Sequence, residues 1–342
     1  MKILMIGGTG IISSACSDLA LQRGMELTIL NRSVSMKFPV PVGAQHLVGD
    51  IHADGGRLAQ LLAGQHFDVV VDWVAFTPED IEHSIRLFSG SPGASTDQFV
   101  FISSASAYQK PPAHYIITEE TPLENPLWEY SRNKIAIEQR LMQEYHERGF
   151  PVTIIRPSLT YGPSQIPLCG ASWQHPYTVI DRIRKGKKII IPGDGTSLWT
   201  VTWNGDFAKG LVGLFGQQAA IGEAFHITSD EVLSWNQIFF EVGKALDLKM
   251  EAVHIASELI AAYDDHAVGS LLGDKVNSAV FDNSKIKRFV PDFKCDVSWA
   301  EGVRRATAWH EADPARRTID EKMNAMWDRI LAGYERAMPQ SV

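Results

Sequence analysis

Cysteine is scarce in this chain: Cys16, Cys169 and Cys295 are the only three in 342 residues, and none is spaced for a metal or redox pair. That excludes a disulfide framework and suits a reducing compartment, with the three thiols expected in core or loop positions. Long apolar runs are also missing. The opening Met1-Lys2-Ile3-Leu4-Met5-Ile6-Gly7 is too short for a signal peptide or a membrane span and reads as a first strand, so cytoplasmic residence and no membrane partner are expected. His226, His254 and His266 lack ligand spacing, and no metal is expected. Positive charge is in deficit, with 32 Lys and Arg against 40 Asp and Glu and a net charge of −8, which argues against a nucleic-acid partner. Arg182, Arg184, Lys185, Lys187 and Lys188 stand close together nonetheless; they read as a solvated helix face or, alternatively, as a grip on a substrate phosphate. No internal repeat or low-complexity tract appears.

What is present is an ordinary globular composition, 45% hydrophobic and 21% charged, long enough for one large α/β core and a smaller lobe. Lys2–Ile6 reads as a buried strand, followed by Gly7-Gly8-Thr9-Gly10-Ile11-Ile12-Ser13 and an apolar-periodic helix to about Arg23. Gly7 and Gly10 let the backbone turn sharply, so that a pyrophosphate can approach amides at a helix N-terminus, where the helix dipole favours negative charge. The second strand, Glu26–Leu30, ends at Asn31-Arg32-Ser33. An amide and a guanidinium stand where an NAD-selective site usually places an acid, and a guanidinium can hold a 2′-phosphate through two parallel bonds. NADP is therefore the expected cofactor, with NAD as the alternative.

Further strand ends point to the same crevice, because ligands of open α/β sheets bind outside the carboxyl ends of the strands. His46–Asp50 brings Asp50 and Ile51 there, Phe67–Ala75 brings Val74 and Ala75, and Gln98–Ile102 ends in Ser103-Ser104-Ala105-Ser106-Ala107-Tyr108. Asn125-Pro126 is expected to start a helix in which Tyr130 and Lys134, four apart, stack on one face. At about 4 Å and an effective dielectric near 20, their attraction is worth about 4 kcal/mol, enough to lower a phenol from about 10 by about three pH units.

These features together resemble the extended short-chain dehydrogenases/reductases of the NAD-dependent epimerase/dehydratase superfamily, from Lys2 to about Trp309. The resemblance rests on the Gly7–Ser13 loop, Ser104, Tyr130 with Lys134, Arg156-Pro157 followed by Tyr161-Gly162-Pro163, and Gly193-Asp194-Gly195. It implies a Rossmann-type doubly wound parallel sheet with a smaller C-terminal α/β lobe, while the helical tail is read from the spacing of Ile319, Met323, Met326, Ile330, Tyr334 and Met338. The expected division is residues 1–163, with about 201–230, for the dinucleotide domain; 164–200 and 231–310 for the substrate lobe; and 311–342 for an amphipathic helix opening near Asp313-Pro314. By resemblance Tyr130 is the general acid/base, Lys134 lowers its pKa and holds the nicotinamide ribose, and Ser104 polarises the reacting oxygen, with Ser106 as its rival. Pro157 and Ser158 would lie against the nicotinamide, and Gly7, Thr9, Gly10, Ile11, Ile12 and Ser103 would complete the cofactor site. The resemblance also implies a homodimer through the helix bearing Tyr130.

Departures from the family pattern narrow the chemistry. Ala105-Ser106 stands where sugar-nucleotide 4,6-dehydratases carry Asp-Glu, which argues against dehydration. Leu198-Trp199-Thr200 stands where an arginine often grips a nucleotide diphosphate. The reading is an NAD(P)-dependent oxidoreductase or epimerase acting on a sugar-like small molecule, with Ser106, Tyr108, Trp173 and Trp199 as candidate substrate contacts. Alternatives are a nucleotide-sugar epimerase, a non-catalytic NAD(P)-sensing regulator, and an RNA-binding relative similar to the chloroplast stem-loop binding proteins.

Overall fold

Runs of Ile, Leu, Val and Phe uninterrupted by charge suit strands covered on both faces, and the centre of the molecule is built from them. The computed structural model describes residues 1–34, 37–52, 56–90 and 93–339. Seven parallel strands form one sheet: β1 (Lys2–Ile6), β2 (Glu26–Asn31), β3 (Gln45–Val48), β4 (His66–Asp72), β5 (Ser95–Ile102), β6 (Val152–Pro157) and β7 (Ala224–Ile227). Their spatial order is β3-β2-β1-β4-β5-β6-β7. The order reverses between β1 and β4, where Ile6 pairs with Leu30 on one side and Asp72 on the other. A crevice opens at such a switch point.

Helices cover both faces. α1 (Ser13–Gln22) packs beside a helix at Asn204–Gly213, which adds Phe207, over the face holding Ile3, Met5, Val69 and Val100. α2 (Pro78–Phe88) and α3 (Glu129–Arg148) cover the opposite face, over Leu4, Val70, Phe99 and Ile154. Thr77 and Asp80 cap α2 reciprocally, and Gly149 ends α3 at φ +70°, a left-handed conformation that glycine takes without steric cost.

The second lobe is assembled from short strand pairs: Ile189–Pro192 with Ala252–Ile255, Leu198–Trp199 with Leu233–Ser234, and Ile116–Ile117 with Val280–Phe281. Leu159–Tyr161 pairs with Val201–Trp203 beside them. Trp235, Trp299 and Trp327 are almost wholly buried in this lobe's core.

The C-terminal segment enters that core. Pro314–Arg316 makes only one tight turn, and the long helix, α4 (Glu321–Ala337), begins after Asp320, later than the Asp313-Pro314 signal implies. Met323, Trp327, Ile330 and Leu331 bury its apolar stripe against the lobe; residues 340–342 of the expected tail lie outside the described residues. Most of the basic cluster is the solvated face that the sequence suggests, with Arg184, Lys185 and Lys187 exposed and Lys188 half-buried, and Arg182 is the exception. Arg182, itself buried, pairs with Asp328, Lys187 with Asp328, Lys188 with Glu335, and Arg184 with Glu311. No described helix is long and apolar enough to cross a membrane.

Candidate active site

At the switch point the chain turns from β1 into α1 through Gly7 and Gly8, with φ +110° and +88°. A Cβ on Gly7 would stand 2.9 Å from Cβ of Trp73, so sterics as well as backbone conformation call for glycine. The Gly10 amide donates to Ser13 Oγ at 2.8 Å, and Asn204 Nδ2 donates to the Ile11 carbonyl at 2.7 Å. Ser13 at the third small position therefore braces the turn. Asn204 comes from far along the chain and had no signal in the sequence pattern.

This turn borders a cavity of about 630 Å³. Its wall contains Gly7, Thr9, Gly10, Ile11, Ile12, Asn31, Arg32, Asp50, Ile51, Trp73 and Val74, together with Phe76, Thr160 and Trp173. Ala75, Ser103, Pro157 and Ser158 are not in that wall, and neither are Ser104, Tyr130 and Lys134. A helix N-terminus, a glycine turn and a volume of this size fit NAD(P), whose pyrophosphate would lie against Gly7–Ile12.

One feature of the Arg32 end differs from expectation. A carboxylate does stand there: Asp50, just beyond β3, lies 3.8 Å from the Arg32 guanidinium. The sequence brings Asp50 to this crevice but not onto Arg32, and it is the pairing of β2 with β3 that sets the two strand ends side by side. Arg32 remains 62% exposed, and the contact is loose. Asn31 Oδ1 accepts from the Ser33 amide at 2.9 Å and meets His46 Nε2 at 3.0 Å.

The second cluster sits where β4, β5 and α3 meet. The helix begins at Glu129, not at Asn125-Pro126; Asn125 Oδ1 accepts from the Leu127 and Trp128 amides and caps a turn one step earlier. Tyr130 and Lys134 nevertheless share a face, the ammonium 5.8 Å from the phenol ring centre. Lys134 Nζ donates to the carbonyls of Ala75 (2.7 Å) and Ile102 (2.9 Å), so it spans the ends of β4 and β5. Burial lowers its pKa to about 8, against the opposing pull of Asp72, Glu138 and Asp80. The phenol is not depressed as the spacing suggests. Burial pushes it above the ordinary tyrosine value, the Ser104 hydroxyl pulls it back, and Asp274 raises it further. Desolvation thus outweighs attraction to an ammonium already committed to two carbonyls.

Three serines extend this cluster. Ser104 Oγ and Ser106 Oγ are 2.9 Å apart, and Ser131 Oγ donates to Ser106 Oγ at 2.7 Å. Ser104 is thus the hydroxyl beside Tyr130, and Ser106 stands behind it in the chain of hydroxyls. Ser103 turns away and donates to Glu138.

Beneath lies a buried polar layer. Arg156 clasps Glu138 through Nε and NH2, with a shortest contact of 2.6 Å, and lies 4.9 Å from the centre of the Tyr108 ring. Tyr108 is fully buried and bonds His226 Nδ1 at 3.0 Å, so it belongs to this layer and not to a substrate wall. Asp72 accepts from the Val74 and Ala75 amides and, at 2.6 Å, from Ser84. Across the site Lys110 forms a buried ion pair with Asp274 at 3.1 Å and lies 5.3 Å from the Trp199 ring. Sequence reasoning missed Glu138, Lys110 and Asp274, whose partners come from distant segments.

The tryptophans divide. Trp199 is 3% exposed and stacks on Trp235 at 5.7 Å, inside the lobe core, so it offers no free face to a sugar. Trp173 is 51% exposed and faces the dinucleotide cavity.

A family model described as the NAD dependent epimerase/dehydratase family matches residues 3–228. Among curated proteins, the chain is 24% identical over 262 residues to the chloroplast stem-loop binding protein of 41 kDa b from Arabidopsis thaliana, covering 71% of this chain and 63% of that protein. It is 26% identical over 209 residues to a UDP-glucose 4-epimerase from Lactobacillus helveticus, covering 57% and 62% respectively. These two matches therefore span less than two thirds of either relative. Among solved structures, UDP-glucuronic acid 4-epimerase from Bacillus cereus in complex with NAD aligns with a TM-score of 0.70 at 19% identity, over 91% of this chain and 99% of that one.

Proposed function

Because this chain belongs to the NAD-dependent epimerase/dehydratase family, we propose that it is an NAD(P)-dependent enzyme moving a hydride at a carbinol or carbonyl carbon of a sugar-like molecule. The observation that carries this reading is the meeting of Tyr130, Ser104 and Lys134 at the ends of β4 and β5, next to a cavity that opens on a glycine turn.

Bound NAD(P) would supply or accept the hydride. Everything else falls to the chain. Gly7–Ile12 would hold the pyrophosphate, while Asn31 and Arg32 meet the adenosine end. Arg32 favours a 2′-phosphate, though Asp50 beside it limits the preference for NADP over NAD. Tyr130, kept neutral by burial, donates its proton to a substrate oxygen as a carbonyl is reduced and takes one back in the reverse direction. Ser104 directs that oxygen, and Lys134 orders the site through Ala75 and Ile102.

The substrate is smaller or less charged than a nucleotide diphosphate sugar in this proposal. Each cation of the Arg182–Lys188 segment already has a carboxylate partner, leaving none evidently free for a pyrophosphate. The names of the relatives favour a second reading, a nucleotide-sugar epimerase. One screen tests both. Nicotinamide absorbance, and product composition by chromatography because epimerisation returns its hydride and leaves no net absorbance change, are followed as free sugars, polyols and hydroxy-ketones, and separately UDP- and dTDP-sugars, are added to cofactor-loaded protein and to Tyr130→Phe. Turnover of a free polyol or ketone that Tyr130→Phe abolishes supports the first reading; turnover of sugar nucleotides alone replaces it with the second. Full turnover by Tyr130→Phe would remove the tyrosine from both.

A further inference from the structure

Trp173 is a large ring left half open on the wall of the dinucleotide cavity, while residues on both sides of it are tied to the C-terminal segment. Ser172 Oγ donates to Asp320 Oδ2 at 2.7 Å, and the Ser172 amide meets Met323 Sδ at 3.0 Å. His175 Nδ1 lies 2.9 Å from Thr318 Oγ1, and the Asp320 amide donates to Thr178 Oγ1 at 2.9 Å. The loop also closes on itself: the His175 amide donates to Ser172 Oγ at 3.3 Å, and Thr178 Oγ1 donates to the His175 carbonyl at 2.7 Å. Asp320 in turn caps α4 by accepting the Met323 amide at 3.0 Å. Trp327 and Ile330 anchor that helix in the lobe core.

Fixing an indole at this position lowers the conformational cost of using it, because the loop that carries it is ordered before a ligand arrives. Its ring faces a cavity whose other wall is the glycine turn, and the occupant that fits this wall carries two flat rings, an adenine and a nicotinamide. Resting on that reading of the cavity, we propose that Trp173 is a cofactor-contact residue whose indole packs on the bound dinucleotide. The C-terminal helix is its positioning element, acting through Asp320 and Thr318. A tail segment that fills the lobe core and pairs with Arg182, Lys187 and Lys188 thereby also sets cofactor affinity.

Calorimetric titration of the full chain with NADH and with NADPH tests this without any substrate. Trp173→Ala weakens the dinucleotide that binds by about tenfold, in line with loss of one aromatic stacking contact, and Trp173→Phe retains most of the affinity. Ser172→Ala removes the link to Asp320 but leaves the helix cap intact; it weakens binding by about threefold alone and adds nothing to Trp173→Ala, as expected of two residues acting through one contact. Energy transfer from tryptophan to bound NADH falls in Trp173→Phe. Unchanged affinity in Trp173→Ala, or additive losses in the double variant, overturns the proposal while leaving the cavity reading intact. Binding of neither dinucleotide by the unaltered protein overturns the cavity reading and this inference together.

Discussion

Lys134 follows Tyr130 by one helical turn, yet its ammonium donates to the carbonyls of Ala75 and Ile102 and not to the phenol. Its first role in this structure is to bridge two strand ends, and its charge is held there against a strong desolvation penalty.

That penalty makes stability depend on pH. With a folded-state pKa near 8, below the ordinary lysine value, Lys134 binds fewer protons in the folded chain than in the unfolded one above pH 8. Its destabilising contribution is full below pH 8 and is relieved as pH rises from there toward the ordinary value. Melting temperatures of the wild type and Lys134→Met, compared at matched pH, should therefore diverge in favour of the wild type between about pH 8 and pH 10. A constant difference would place the lysine's titration elsewhere.

Asp274 raises the Tyr130 phenol, so Asp274→Asn should lower it. Tyrosinate absorbance, taken as the difference between each protein and its Tyr130→Phe counterpart, isolates this one ring. The expected wild-type midpoint lies above the usual tyrosine value, with the Asp274→Asn midpoint below that of the wild type. Equal midpoints would remove Asp274 as an influence on the phenol.

Cofactor choice rests on Arg32 and Asp50 together. Arg32→Ala should abolish any preference for NADPH, whereas Asp50→Asn should widen it several-fold by freeing the guanidinium and removing a like charge from the phosphate's surroundings. Titration of both cofactors against both variants reads this directly. A preference that survives Arg32→Ala would locate the selecting group in another residue.

At Gly7 an added methyl group meets Trp73 at 2.9 Å in a backbone conformation that L-residues rarely adopt. Gly7→Ala should lower stability by about 1–3 kcal/mol and eliminate dinucleotide binding, since the turn that presents the amides must shift. Denaturant unfolding and calorimetry measure the two effects separately. Normal binding by a well-folded Gly7→Ala protein would show that the turn tolerates a side chain.

Removal of Arg182 should cost far more than removal of Lys188. Arg182 is buried against Asp328, Asn324 and the Lys188 carbonyl; its loss leaves Asn324 and that carbonyl without their buried partner and Asp328 with Lys187 alone, at about 1–3 kcal/mol. Lys188 pairs with Glu335 in solvent, and Lys188→Ala should leave the melting temperature unchanged. Comparable effects on melting from both variants would contradict the division between a buried clamp and a surface pair.

Where local chemistry decides structure, the sequence was readable. The strand, glycine turn and helix of residues 2–22, the run of buried strands and the shared face of Tyr130 and Lys134 all follow from neighbouring residues. The start of α3 was misplaced because Asn125 does cap a turn, but one that stops short of the helix. Long-range assembly was hidden. Asp50 is legible as a residue of the cofactor crevice but its contact with Arg32 is not, and nothing near Arg182 announces Asp328. The phenol's shift depends on desolvation, a property of the finished pocket that a spacing of four cannot encode.

The docking of α4 also bears on how the chain folds during synthesis. The seven-stranded sheet is complete once β7, ending at Ile227, has emerged, and that half can consolidate while translation continues. The other lobe cannot, because Trp327, Ile330 and the carboxylates facing Arg182, Lys187 and Lys188 arrive about a hundred residues later. At about 5–20 residues per second, Ile180, Ile183 and Ile189 then wait several seconds with an incomplete covering. During that interval a chaperone would find its exposed surface on the C-terminal lobe.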